Sequence, residues 1–169
     1  LDFAEHLRPL RNTIDIGLHL TLTDQKTSFD YPMIAPNGSF LSFASLLRMC
    51  LAQKIIFHEV FHSIERQFQL FQQTFGFLPI FVDGHQHIQN LPVIREAIFM
   101  SLRGINAKNL PYVRTTKENW TLIFKRNVSI AKNCQLNLIS KHFSKMCRDK
   151  NVPTNDGFTG VYKFSSNEK

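Results

Sequence analysis

Apolar residues recur at threes and fours from Phe57 to Phe75, at Phe57, Val60, Phe61, Ile64, Phe68, Phe71 and Phe75. That spacing predicts a helix with one stripe turned toward a core. Gly76 follows where a left-handed cap would end it. Residues 13–22, TIDIGLHLTL, carry a different pattern. Apolar and polar groups alternate there, which predicts a strand with Ile14, Ile16, Leu18, Leu20 and Leu22 on one face and Asp15, Gly17, His19 and Thr21 on the other. The apolar runs LPIFVDG, PYVR (ending at Arg114) and GFTGVYKF predict further strands. Helices are expected at the opening DFAEHLRPL, over 43–52, over 93–102 behind Pro92, and over the lysine-rich 129–146. PNGS marks a loop over 30–42.

Strands alternating with helices imply βαβ units and a largely parallel sheet or barrel. A closed barrel of eight such units takes about 250 residues, and this chain supplies roughly half of the strands. The expected unit is one α/β domain over residues 1–169, either a small open sheet or part of a barrel.

Composition narrows the classes. A hydrophobic fraction of 43% beside a charged fraction of 20% belongs to a chain that folds around a core rather than a disordered one. The apolar run of roughly 20 residues that would span a bilayer is missing, so no membrane span is expected. Cys50, Cys134 and Cys147 are too few and too scattered for a disulfide framework, which suits reduced thiols in a cytoplasmic protein. The net charge of +7 is densest at Lys125, Arg126 and from Lys141 to Lys150. With no interleaved aromatic platform and no nucleic-acid motif in the sequence, that density reads as a solvated basic face, with no nucleic-acid partner.

The candidate chemistry lies in FVDGHQHIQNLP, where Asp83, His85 and His87 occupy every second position. If extended backbone continued through them, they would share one face. Active sites of α/β folds gather at the C-terminal ends of parallel strands, where His19, His85 and His87 would all stand. Neighbouring strands lie roughly 4.8 Å apart, close enough for imidazoles from both to meet on one divalent ion. An acid beside them can orient an imidazole or accept a proton from metal-bound water. Such a site would perform metal-assisted hydrolysis. Against this stands the plainer possibility that an HxH pair, or a lone histidine in a strand, simply packs in a core. His58 and His62 form an i, i+4 pair, but with no evident third ligand they read as a helix face.

IDIGLHLTLT, FQQTFGFLP and FVDGHQHIQNLPVIREAI, followed by PYVRTT and GFTGVYKF, resemble the blocks of the YdjC-like carbohydrate deacetylases, of the ChbG and HpnK type, in order and over nearly the whole chain. The resemblance implies an irregular TIM-barrel-like α/β fold and a hydrolase that removes acetyl groups from N-acetylated sugars. It also implies a divalent metal, magnesium or zinc, held by an aspartate and two histidines. Matched by motif, the histidines are His19 and His85. Asp83 and His87 fall in the same block as candidate catalytic groups, and Arg114 matches an arginine that orients an acid or binds substrate. The substrate would be an acetylated sugar or glycolipid.

Departures from the family pattern are equally specific. The opening DDFG-type strand, source of the remaining metal ligand and base, has no counterpart here. Gln89 stands where DGHQHxH has a third histidine, and a late His-Pro-Gly segment is missing. Together with a first residue Leu1, these departures lead to the expectation of a fragment lacking its first strands and C-terminal part. Such a chain would be weakly active or inactive, with open sheet edges, and would associate with itself or with a complementing N-terminal fragment.

Overall fold

The computed structural model describes residues 2–106, 108 and 110–159. In chain order they form α1 (Asp2–Leu7), β1 (Leu18–Leu20), α2 (Phe43–Leu51), α3 (Phe57–Phe75), β2 (Phe81–Gly84), α4 (Ile94–Leu102), β3 (Tyr112–Val113), α5 (Trp120–Arg126) and α6 (Ile130–Asp149). Short 3₁₀ segments, Arg8–Asn12 and His85–Asn90, follow α1 and β2. The expected mixed α/β organisation is present, as a small open sheet. Its three strands run parallel in the order β1-β2-β3, with helices in both connections, as parallel pairing requires. The register sets His19 level with Asp83 and Leu20 level with Gly84.

The alternation of residues 13–22 survives in burial although ladder pairing is confined to Leu18–Leu20. Ile16, Leu20 and Leu22 are buried and His19 faces outward. Ile14 is exposed instead of joining the core face. Its amide and that of Thr13 both bond the Leu10 carbonyl, so this part of the chain is still held in the preceding turn.

α3 spans the residues its stripe predicts. Val60, Ile64, Phe68 and Phe71 are buried, and Gly76 ends the helix at φ 80°. A side chain would be strained there, and glycine is not. α3 packs against α4 and β1, and the core joins Leu20, Val82, Ile88, Ile94 and Ile98 from the sheet, the turn and α4.

The sheet edges are better protected than the sequence implied. Gln67 of α3 serves Thr21 as a strand would: its amide nitrogen donates to the Thr21 carbonyl (3.0 Å) and its oxygen accepts from the Thr21 amide (2.9 Å). On the other edge, the Val113 amide donates to the Pro153 carbonyl at 2.9 Å. Buried backbone groups at an edge need such partners.

α5 had no signal in the hydrophobic pattern; Asn119 caps it, accepting from the Thr121 amide at 2.8 Å. The lysine-rich helix is present as α6, with an unusual inner face. Asn133, Asn137, Ser140 and Ser144 are buried beside Phe143 and Cys147, while Leu138 and Ile139 are exposed. Asn137 and Ser140 serve the loop after β3, whose backbone would otherwise be buried without partners, while Asn133 donates to the Val128 carbonyl at 2.8 Å. Ser140 Oγ accepts from the Thr116 amide (3.1 Å), and Asn137 Oδ1 accepts from the Glu118 amide (2.9 Å). Gly157, Phe158 and Thr159 are not in a strand, and the rest of GFTGVYKF lies outside the described residues. Among the described residues, no helix is long and apolar enough to cross a membrane.

Candidate metal centre

Parallel pairing of β1 with β2 brings two distant segments of the chain together at their C-terminal ends. His19 Nε2 and His85 Nδ1 lie 3.4 Å apart, with their rings nearly perpendicular at 79°. Behind them, His19 Nδ1 lies 3.0 Å from Asp83 Oδ2. An ionised carboxylate only accepts, so this contact makes Nδ1 the protonated nitrogen and leaves the Nε2 lone pair pointing at His85. Asp83 is itself fixed. Arg114 donates to its Oδ1 from Nε at 2.7 Å and from Nη2, and the Gly84 amide donates to the same oxygen. The result is a chain of contacts from Arg114 through Asp83 to His19, meeting His85 at the open end. The His19 side chain is 53% exposed and Asp83 only 14%, so solvent reaches the imidazole but hardly its anchor.

This arrangement fits a divalent ion in two respects. Two nitrogens bound to one tetrahedral ion at about 2.0–2.1 Å each lie about 3.4 Å apart. A carboxylate on the far nitrogen is the usual support of a metal-binding histidine. His19 and His85 are the residues that would hold the ion. A cluster of three or more His, Cys, Asp or Glu side chains suited to a metal does not occur among the described residues. Two imidazoles are therefore the donor set that these residues supply.

His87 does not share the face of Asp83 and His85, contrary to the two-residue period. β2 stops at Gly84, and the chain turns through His85–Asn90 with Gln86 at φ 52° and His87 at φ 63°. Gly84 permits the turn. A β-carbon there would collide with Oε1 of the fully buried Gln89 and press on Ile88. The His87 ring packs edge-on against Phe158 at 5.2 Å, and its Nδ1 is buried with no hydrogen-bond partner among the described residues. Burial, helped by the nearby Arg114 charge, lowers its pKa to about 4, so it is a neutral imidazole.

Three residues to which the sequence assigned no site role complete the surroundings. Gln89 Nε2 donates to the Arg114 carbonyl at 3.0 Å, tying the turn to the end of β3. Asn90 Nδ2 donates to the His87 carbonyl and to Thr116 Oγ1, both at 3.2 Å. Phe158 lies under the Arg114 guanidinium at 4.8 Å, sharing its ring with His87. Two adjacent amides directly after a histidine pair were the available signal for the first two. Phe158 is far away in sequence and gave none.

The family model described as YdjC-like protein matches residues 2–169. The chain belongs to the YdjC-like family. Among relatives of this YdjC-like chain, the carbohydrate deacetylase of Mus musculus is 27% identical over 111 residues, covering 62% of this chain and 36% of the relative. The carbohydrate deacetylase of Homo sapiens is 26% identical over 111 residues, covering 62% and 34%. The chitooligosaccharide deacetylase of Salmonella heidelberg (strain SL476) is 27% identical over 107 residues, covering 62% and 42%. The matched YdjC-like stretch thus spans between about a third and two fifths of the length of these relatives.

Proposed function

We propose that the chain carries the imidazole half of the metal centre of a carbohydrate deacetylase, a hydrolase that removes an acetyl group from an N-acetylated sugar or glycolipid. The observation that carries this reading is the 3.4 Å approach of His19 Nε2 to His85 Nδ1, with Asp83 behind His19. The names of the relatives supply the substrate class. The consecutive strand order, without a reversal, supports reading the sheet as an arc of a TIM-barrel-like (β/α) fold rather than a doubly wound one.

In this reading His19 and His85 hold the ion, and imidazole nitrogens favour zinc over magnesium. Bound there, a divalent ion polarises an acetyl carbonyl and lowers the pKa of coordinated water. Asp83 keeps the proton of His19 on Nδ1 and stabilises the ring's orientation. Arg114 fixes Asp83 and, being partly exposed beside the pair, is placed to contact substrate. His87, a neutral imidazole, would accept a proton close to Arg114.

Two protein ligands hold an ion loosely, so the 169-residue chain by itself should release acetate from N-acetylated chitooligosaccharide weakly or not at all. Release at the rate of a full deacetylase would contradict that expectation. The site itself is tested by anomalous diffraction from zinc-soaked crystals. A peak bridging His19 and His85 supports the reading; ordered zinc only elsewhere sinks it.

A second reading is a subunit of a split deacetylase, completed by another chain. β1 at the sheet edge, carrying one of the two imidazole ligands found among the described residues, favours it. A partner that restores acetate release on mixing would decide for it.

A further inference from the structure

The basic charge of this chain is concentrated in one part of the fold. Residues 117–150 contain eight Lys and Arg against two Asp and Glu, a net of +6 out of the chain's +7. Both acids are engaged within the segment. Glu118 is buried and paired with Arg126 at 2.6 Å, and Asp149 pairs with Lys145 at 2.7 Å. Lys117, Lys125 and Lys141 are exposed.

The same segment exposes large apolar side chains. α5 buries only Ile123 and presents Trp120, Leu122 and Phe124, exposed by 39%, 48% and 57%. The Trp120 and Phe124 rings stack at 6.4 Å, which makes one aromatic ridge. α6 packs against α5 and adds Leu138, exposed by 57%, and Ile139. Trp120, Lys117 and Lys141 line one hollow between the two helices, so these cations and the Trp120 end of the ridge belong to one surface. Read along the sequence, this charge seemed to lack aromatic neighbours; folded, Trp120 and Phe124 stand among it.

Cations around exposed Trp, Phe and Leu form the pattern of an element lying in a bilayer interface, with apolar groups among the acyl chains and lysines at anionic headgroups. A nucleic-acid surface would call for the cations and for stacked aromatics, but not for exposed Leu122, Leu138 and Ile139. We propose that the α5–α6 face docks this protein on anionic lipid surfaces. The docking is peripheral and requires no membrane-spanning segment.

Trp120 is the chain's single tryptophan and therefore reports directly on this face. The whole chain is mixed with vesicles of phosphatidylcholine alone, or with about 30% phosphatidylserine, an anionic lipid of the kind basic surfaces attract. With the anionic vesicles, Trp120 emission should shift to the blue and be quenched by lipids brominated in their acyl chains, and added salt should reverse both. Phe124→Ser should lower partitioning about tenfold. Lys125→Gln should lower it about fivefold. Lys54→Gln, on an exposed residue outside this segment, should leave it unchanged. All three sites are exposed, so unaltered circular dichroism is expected to certify the fold.

Several results overturn the proposal: no response to anionic vesicles, an equal response to neutral ones, or an equal loss with Lys54→Gln. A blue shift produced by duplex nucleic acid but not by vesicles would reassign the face to nucleic acid. A shift that grows with protein concentration in the absence of lipid would reassign it to contact between copies of the chain.

Discussion

His85 and His87 are two residues apart on the same short turn and both are half-buried, yet their rings meet different partners. His85 meets His19 at the open end of the parallel strands, where the supporting carboxylate is anchored by Arg114 and solvent reaches the His19 ring. His87 is turned inward against Phe158, and burial keeps it neutral. Residue type alone therefore does not assign a role. The backbone does, because β2 ends at Gly84 and the turn sends consecutive imidazoles in different directions.

The largest effect is expected from removing the anchor of the outward pair. Asp83→Ala leaves a partly buried Arg114 without its counter-charge and His19 without its acceptor, and should cost about 3 kcal/mol in urea unfolding. An unchanged midpoint would mean that the contacts behind His19 are incidental.

Gly84→Ala acts on the turn itself. The added β-carbon meets Gln89 Oε1 and Ile88, so a loss of about 2 kcal/mol is expected, with Gln89 displaced from the Arg114 carbonyl. Wild-type stability in this variant would show that the glycine is not what lets His87 turn away.

The inward histidine should reveal itself through pH. Its folded pKa of about 4 lies below the ordinary histidine value of 6.5, so the unfolded chain binds the proton more readily between those values. Its contribution is complete above pH 6.5 and is lost as pH falls toward 4. The loss should be about 2 kcal/mol, allowing for some residual solvent contact of the ring. His87→Phe in metal-free protein should flatten that part of the stability profile. A proton NMR titration placing the His87 midpoint near 6.5 would erase the contrast with His85.

The smallest effect concerns the thiols. Burial raises Cys50 to about 11 and Cys147 to about 12, whereas Cys134 is partly exposed. At neutral pH one thiol per native chain should react quickly with a maleimide and two slowly, since the thiolate is the reactive form. Three equally fast thiols would mean that the packing around α2 and α6 is looser than described.

Much of the scaffold was legible because it obeys simple periods. The bounds of α3 and its glycine cap matched the fold to the residue, although Phe57 of its stripe is exposed, and the approach of His19 to His85 followed from parallel strands and site position. Less legible were segments whose conformation answers to distant partners. Gln86 and His87 adopt left-handed backbone with no glycine to announce it. α6 turns Asn137 and Ser140 inward because the loop after β3 needs their hydrogen bonds. The contacts of Phe158 with His87 and with Arg114 join three segments that no local pattern connects.

The most direct test of the account is calorimetric titration of zinc into the wild-type chain and into His85→Ala. One zinc should bind the wild type, at least tenfold more tightly than the variant, since His85 supplies one of the two donors. Equal zinc affinity in the two proteins would contradict the claim that these strand ends form a metal centre.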